Sequence, residues 1–207
     1  MSSRGRNKGK GAKRRPTQAR SRATVEVILT GAAQVLERHG YGHASTDRIA
    51  ERAGVSVGSI YQYFRNKNEI FETLFDRESS RLLSTLDSIV GGPPTDSHQK
   101  LRAFLHAGAS PQFLPPRLYD ELVRVPGLEI KVQAYLDKLI ETTVRLIESS
   151  QPGLPDAEVR TLARLVVATA EGIGRPLRTG PDPDLLDRYV EMIDSFVLGP
   201  TRTQFAR

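Results

Sequence analysis

Residues 46 to 64, TDRIAERAGVSVGSIYQYF, constrain the fold more than any other stretch of this 207-residue chain. Thr46 is a good N-cap, Asp47 suits the positive end of a helix, and Ile49, Ala50 and Ala53 fall on one face at helical spacing. Gly54 stops that helix because glycine tolerates the left-handed conformation. Val55 then points inward, and Ser56 caps a second helix whose buried positions are Ile60 and Phe64. Two short helices joined by so tight a turn present one of them to a DNA groove, and the second helix is the candidate reader.

The flanks complete a three-helix head. Upstream, Val25, Ile28, Leu29, Ala32, Val35 and Leu36 make an amphipathic helix ending at Arg38, His39 and Gly40, where His39 reads as a partner for the helix dipole. Downstream, Asn66 followed three residues later by Glu69 opens a long helix with Phe71, Leu74, Phe75, Leu82, Leu86 and Ile89 on one side.

Charge is concentrated at the N-terminus. Residues 1 to 22 hold nine Lys or Arg and no acid, so with 30 basic and 24 acidic residues in all, the other residues carry a net −3. Rich in Gly and Ser and without an apolar pattern, this segment is expected to be a disordered basic arm. Its target is expected to be phosphate and an adjacent minor groove, with Arg14, Arg15 and Arg20 as contacts. The competing reading is a solvated tail that aids solubility.

Composition excludes several chemistries. The absence of cysteine removes disulfides, thiolate zinc sites and cysteine nucleophiles together. No run of 18 apolar residues is present, and the basic N-terminus lacks the apolar core of a secretion signal, so a cytoplasmic protein with no membrane partner is expected. His39, His43, His98 and His106 show no metal-ligand spacing, and no phosphate-binding glycine loop or serine nucleophile motif occurs. Neither enzymatic activity nor a cofactor is expected.

Beyond the head, breakers separate further helices. Gly91, Gly92, Pro93 and Pro94 end the long helix, Leu101, Phe104 and Leu105 mark the next, and Pro111, Pro115 and Pro116 punctuate a loop before a short helix at 117 to 124. Pro126 is expected to start a helix reaching Ser150, with Ile130, Val132, Tyr135, Leu136, Leu139, Ile140, Val144 and Ile147 as its apolar positions. The last two helices are expected from Asp156 to Arg178 and from Pro183 to Leu198, the second capped by Asp182. The fold class is all-α.

The run AGVSVGSIYQYFRNKNEIF resembles the signature of the TetR family of one-component bacterial regulators, over roughly residues 23 to 75. The resemblance implies a helix-turn-helix domain over residues 23 to 66 and a helical ligand-binding and dimerisation domain over 67 to 207. It implies a repressor that binds a palindromic DNA operator as a homodimer, is associated with the bacterial nucleoid, and is released by a small-molecule effector. The effector pocket would lie in the body, with Phe104, His106, Phe113, Leu114, Tyr119, Leu122, Tyr135 and Leu139 as candidate lining, each of which also reads as ordinary core. The final two helices would dimerise through Leu162, Leu165, Val166, Thr169, Ile173, Tyr189, Val190, Ile193, Phe196 and Val197. Ala163, Val167, Ala170 and Gly174 form a second, smaller stripe on the first of these helices.

Within the head, the small residues Ser56, Val57, Gly58 and Ser59 let the backbone approach base edges, and Val57 suits a thymine methyl. Gln62 can pair with adenine, against simple solvation. Tyr61 and Tyr63 occupy positions that in the family commonly touch the sugar-phosphate backbone, against packing on the first helix. Lys67 opposes the dipole in the first turn of its helix, which suggests a phosphate there. Thr46 can offer a hydroxyl and backbone amides to another phosphate. Asp47 departs from the family pattern because an acid repels phosphate, and Arg48 is its expected substitute. Two other classes remain open: an architectural nucleoid-type protein with little sequence preference, and a helical enzyme using His106 and Glu121 as acid and base.

Overall fold

The computed structural model describes residues 14 to 93, 96 to 110, 114 to 177 and 183 to 199. The helices are α1 (Arg14–His43), α2 (Thr46–Ala53), α3 (Val57–Tyr61), α4 (Lys67–Val90), α5 (Ser97–Gly108), α6 (Pro116–Leu122), α7 (Glu129–Ser150), α8 (Asp156–Leu177) and α9 (Pro183–Leu198). No strand occurs among the described residues. The chain divides into two compact units, Met1–Phe71 and Glu72–Arg207, so the first turn of α4 belongs to the head.

In the head, α1 packs on α2 and α2 on α3. Ile28, Leu36, Ile49, Ile60, Ile70 and Phe71 are fully buried, as their spacing requires. The crossing of α1 and α2 is unusually close. A Cβ added at Gly31 would stand 3.0 Å from both the Cβ and the backbone nitrogen of Ala53, so the contact exists only because Gly31 has no side chain. Within α1 the helix is interrupted at Gly40, whose φ of 69° is left-handed, and a short extension continues to His43. At its other end α1 begins at Arg14, so residues 14 to 22 of the basic segment are helical instead of forming an extended arm. The heptad-like spacing of the apolar residues after Thr24 carries no information about how far a helix extends upstream. The first thirteen residues lie outside the described residues.

Local caps fix the remaining head boundaries. Ser45, not Thr46, is the N-cap of α2: its backbone is extended at φ −136°, and its side chain accepts from the Arg48 N–H at 3.3 Å. Gly54 ends α2 at φ 67° and its N–H returns to α2 carbonyls. Asn66 caps α4 by accepting from the Glu69 N–H at 3.0 Å, while Glu69 accepts from the Arg65 N–H at 2.7 Å. That backbone donor, ahead of the Arg65 guanidinium, holds the Glu69 carboxyl below the usual carboxylate range.

The body packs α7 against α8, α5 against α9, and α8 against α9 and α6. Asp194 on α9 is buried and ties α9 to α5, accepting from His98 Nδ1 at 2.9 Å with the Arg102 guanidinium at 3.5 Å. The helix expected from Pro126 starts at Glu129, because Gly127 turns the chain at φ 92°. Ile130, counted among its apolar positions, is 83% exposed in the first turn of that helix. Asp182, Arg178, Pro94 and Pro111 lie outside the described residues.

Candidate nucleic-acid interface and cavity

The reader helix is a short element with a well-made start. Ser56 is extended, at φ −75° and ψ 151°, and its side-chain oxygen accepts from the Ser59 N–H at 3.0 Å. Its Oγ also lies 2.8 Å from the Ser59 Oγ. Ile60 is fully buried and Phe64 nearly so, which anchors one side of α3 on the head core. Ser56, Gly58, Tyr61 and Gln62 are exposed and Val57, Ser59 and Tyr63 half-buried, so the opposite side is open to solvent.

Elements distant in sequence meet beside it. The Thr46 hydroxyl at the start of α2 lies 3.4 Å from the phenol of Tyr61 at the end of α3, and Tyr61 is 55% exposed. Two hydroxyls, one from each helix, thus stand together at the surface. Arg48 donates through Nη1 to the His43 carbonyl at 2.6 Å, which places this exposed guanidinium at the end of α1. A guanidinium has five N–H donors, so this bond leaves capacity for a phosphate oxygen. Arg20 is exposed on α1, whereas the side chains of Arg14 and Arg15 are outside the described residues.

Lys67 needs no external anion to explain it. Its Nζ donates to the carbonyls of Tyr41 at 3.2 Å and Ala44 at 3.1 Å, and lies 4.2 Å from the centre of the Tyr41 ring. The ammonium satisfies carbonyls at the end of α1, where a cation is favourable, and this outweighs its unfavourable place at the start of α4. Periodicity along α4 could not reveal a partner 26 residues away in sequence. The place of Lys67 at the start of α4 thus has a cause inside the head and gives no separate sign of a phosphate. Lys67→Met should lower the unfolding free energy of the head by about 1 to 3 kcal/mol, measured by denaturant titration, and leave the salt dependence of DNA binding by the folded protein unchanged.

In the body, a cavity of about 690 Å³ is lined mainly by apolar side chains from α4 to α9. Five of the eight expected lining residues reach it: Phe104, Leu114, Tyr119, Tyr135 and Leu139. Leu122 is instead fully buried, and the exposed His106 faces Asp187 at 3.8 Å. Phe113 lies outside the described residues. Glu121 pairs with Arg124 at 2.5 Å, so the proposed acid–base couple of His106 and Glu121 is directed to two different partners.

The lining also contains groups outside the expected set. Leu82 and Leu86, expected only as the apolar side of α4, contribute to it, and Asp120 and Glu171 bring carboxylates. Tyr119 donates to Glu171 at 3.1 Å, and the Tyr119 and Tyr135 rings lie 6.4 Å apart. Burial pushes both phenols well above the usual tyrosine range, and Glu171 adds to this in each case. One signal for Glu171 was present in the sequence: it is the single charged residue between Arg164 and Arg175, set among Ala168, Ala170 and Gly172.

Burial sorts the residues expected at a dimer surface. Leu162, Val166, Tyr189, Val190, Ile193 and Val197 are buried within a single subunit, and Val166 and Tyr189 also line the cavity. Phe196 is half-buried. Leu165 is 43% exposed and Thr169 is exposed, as is Met192 at 54%, while the side chain of Ile173 is outside the described residues. Among the described residues no group of three or more His, Asp or Glu could hold a metal, and no helix is long and apolar enough to cross a membrane.

Residues 28 to 74 match the family described as "Bacterial regulatory proteins, tetR family". The HTH-type transcriptional activator FasR of Mycolicibacterium smegmatis is 36% identical over 80 residues, which are 39% of this chain and 36% of that protein. The chain spans about a third of the length of the curated relatives it matches first. Solved structures extend the likeness of fold. A transcriptional regulator from Pseudomonas aeruginosa aligns with a TM-score of 0.72 at 20% identity, covering 91% of this chain and 92% of the other. The regulator FadR from Bacillus subtilis, solved in complex with stearoyl-CoA, aligns with a TM-score of 0.64 at 22% identity, covering 85% and 99%.

Proposed function

The chain belongs to the tetR family of bacterial regulatory proteins, and from that premise we propose that it is a sequence-specific DNA-binding repressor, bound to a palindromic operator as a homodimer and released by a small molecule. The observation that carries this reading is the open side of α3. Small residues at Ser56, Gly58 and Ser59 permit close approach to base edges, Gln62 is exposed to pair with a base, and the paired hydroxyls of Thr46 and Tyr61 at the end of α3 can donate to phosphate. Arg48, Tyr63 and the basic segment with Arg14, Arg15 and Arg20 supply further phosphate contacts.

The body supports the rest of the proposal. Its cavity lies in the size range that holds drug-sized ligands, and its apolar walls match the hydrocarbon part of a ligand such as the stearoyl-CoA of the Bacillus subtilis FadR complex. An effector that binds the DNA-incompetent conformation more tightly lowers operator affinity by that difference. Leu165 and Met192, exposed apolar residues of α8 and α9, are proposed as the centre of the dimer contact, since Leu162, Val166, Tyr189, Val190, Ile193 and Val197 are buried within the subunit.

Selection of bound sequences from a random DNA pool, at near-physiological salt, tests the reading. Full-length protein and a variant lacking residues 1 to 20 should recover the same palindrome, with weaker binding by the shortened chain. Recovery of no motif, with binding that collapses when the basic segment is removed, would replace a specific regulator with an architectural DNA-coating protein.

A further inference from the structure

We propose that the Tyr135 hydroxyl is the polar anchor of the body's cavity, donating one hydrogen bond to a carbonyl oxygen on an otherwise apolar ligand. The inference rests on the reading of that cavity as the effector site and names the chemical group it takes. The described walls carry four hydroxyls, on Tyr119, Tyr135, Thr143 and Tyr189. Three of them are engaged inside the protein. Tyr119 donates to Glu171 at 3.1 Å, Thr143 donates to the Leu139 carbonyl at 2.7 Å, and Tyr189 lies 3.4 Å from both the Val166 carbonyl and the Thr169 hydroxyl. Tyr135 is 7% exposed, and its ring packs edge-on to Phe75 and beside Tyr119. Its hydroxyl has no hydrogen-bond partner among the described residues. Proteins pair nearly all such buried groups, so an exception in a cavity wall is a donor kept for something that enters.

The chemistry of the phenol decides what that is. Its lone pair is drawn into the ring, so the proton is the stronger half of the group and asks for an acceptor. Burial, together with the Glu171 charge, keeps this phenol protonated above the usual tyrosine range, so the donor persists at any working pH. The Glu171 charge that reaches the phenol also reaches an acceptor bound to it, and so disfavours an anionic one. A neutral carbonyl meets both conditions. Around it Leu86, Phe104 and Leu139 match an apolar skeleton.

Benzophenone and 1,1-diphenylethylene share one shape and differ only in an oxygen against a methylene group. Ligand-observed NMR titration of the full-length protein with each, beside Tyr135→Phe, therefore isolates the hydrogen bond. The variant is expected to bind benzophenone about three- to tenfold more weakly, and the hydrocarbon no less tightly, than the wild type. The carbonyl infrared band of bound benzophenone should lie at lower frequency in the wild type than in the variant. Because the hydroxyl has no internal partner to lose, Tyr135→Phe should melt at or above the wild-type temperature. Equal loss of both probes, loss of neither, or binding of neither would overturn the proposal. So would a melting temperature lowered by about 2 to 4 °C, the mark of one broken internal hydrogen bond. These titrations contain no DNA. Benzophenone held through Tyr135 without any effect on operator affinity would keep the site and remove the effector reading, whereas operator release by benzophenone that is unchanged in Tyr135→Phe would keep the effector reading and remove this inference.

Discussion

Gly58→Glu should abolish specific operator binding while leaving the protein folded. A Cβ at this position meets only the Ser56 Oγ, at 3.8 Å, so the head has room for the new side chain. Replacing a helical glycine also removes a conformational cost of about 0.5 to 1 kcal/mol, so thermal stability should hold or rise slightly. On DNA the balance reverses. The carboxylate would stand at the open end of α3, facing phosphates and base edges, and a dimer would bring two of them. With each spoiled base contact worth about 1 to 3 kcal/mol, affinity should fall by roughly 100-fold or more. Gly58→Ala is the matched control, expected to lose far less. Fluorescence anisotropy on the selected operator, beside a melting curve, would check both halves. Normal operator affinity in a folded Gly58→Glu protein would mean that α3 is not the reader.

Gly31→Val should produce the opposite pattern, a broken head beside an intact body. The valine Cβ would sit 3.0 Å from Ala53, against backbone as well as side chain, and its two methyl groups would have to force α1 and α2 apart. Overpacking of this kind costs about 3 kcal/mol or occasionally more, against a stability of only about 5 to 15 kcal/mol for an ordinary domain. Hydrogen exchange should show lost protection of α1 to α3 and retained protection of α7 to α9, with DNA binding abolished. Unchanged protection in the head would show that the helices yield more easily than their spacing allows.

These two glycines also show where sequence reasoning succeeds and where it stops. Gly54, Ser56 and the pairing of Asn66 with Glu69 act within a few residues, so local rules of capping locate the turn and the helix starts. The apolar stripes of α1 and α2 were equally legible, because burial follows from period alone. Gly31 was not, since its partner Ala53 lies on another helix and only the packed structure reveals a missing side chain as a contact. The clamp made by Lys67 was hidden for the same reason, with its carbonyl partners on the far side of the helix-turn-helix unit. Choosing between adjacent cap residues also exceeded the sequence, as Ser45 and Thr46 have similar chemistry and differ only in backbone angle.

In the body, the limit was ownership of a surface. Periodicity identified α8 and α9 as apolar on more than one side, yet it cannot say whether a face is buried by its own chain or by a second copy. Leu162, Val190 and Ile193 are used internally, which leaves Leu165 and Met192 outside. Cavity residues were found in part because aromatic and aliphatic residues draw attention. The carboxylates of Asp120 and Glu171 did not, because acids are ordinarily assigned to solvent.

A boundary that falls inside a helix sets the terms for cutting and recombining this protein. The head ends at Phe71, four residues beyond the start of α4, and Lys67, Ile70 and Phe71 all contribute to its core or its clamps. A graft that joins a foreign body at residue 66 would discard those side chains and open the head from below, though it would respect the visible end of the helix-turn-helix. A chimera joined between residues 71 and 72, with the helix continued in phase, transfers the whole unit; the interchangeable module includes the first turn of what looks like the connecting rod.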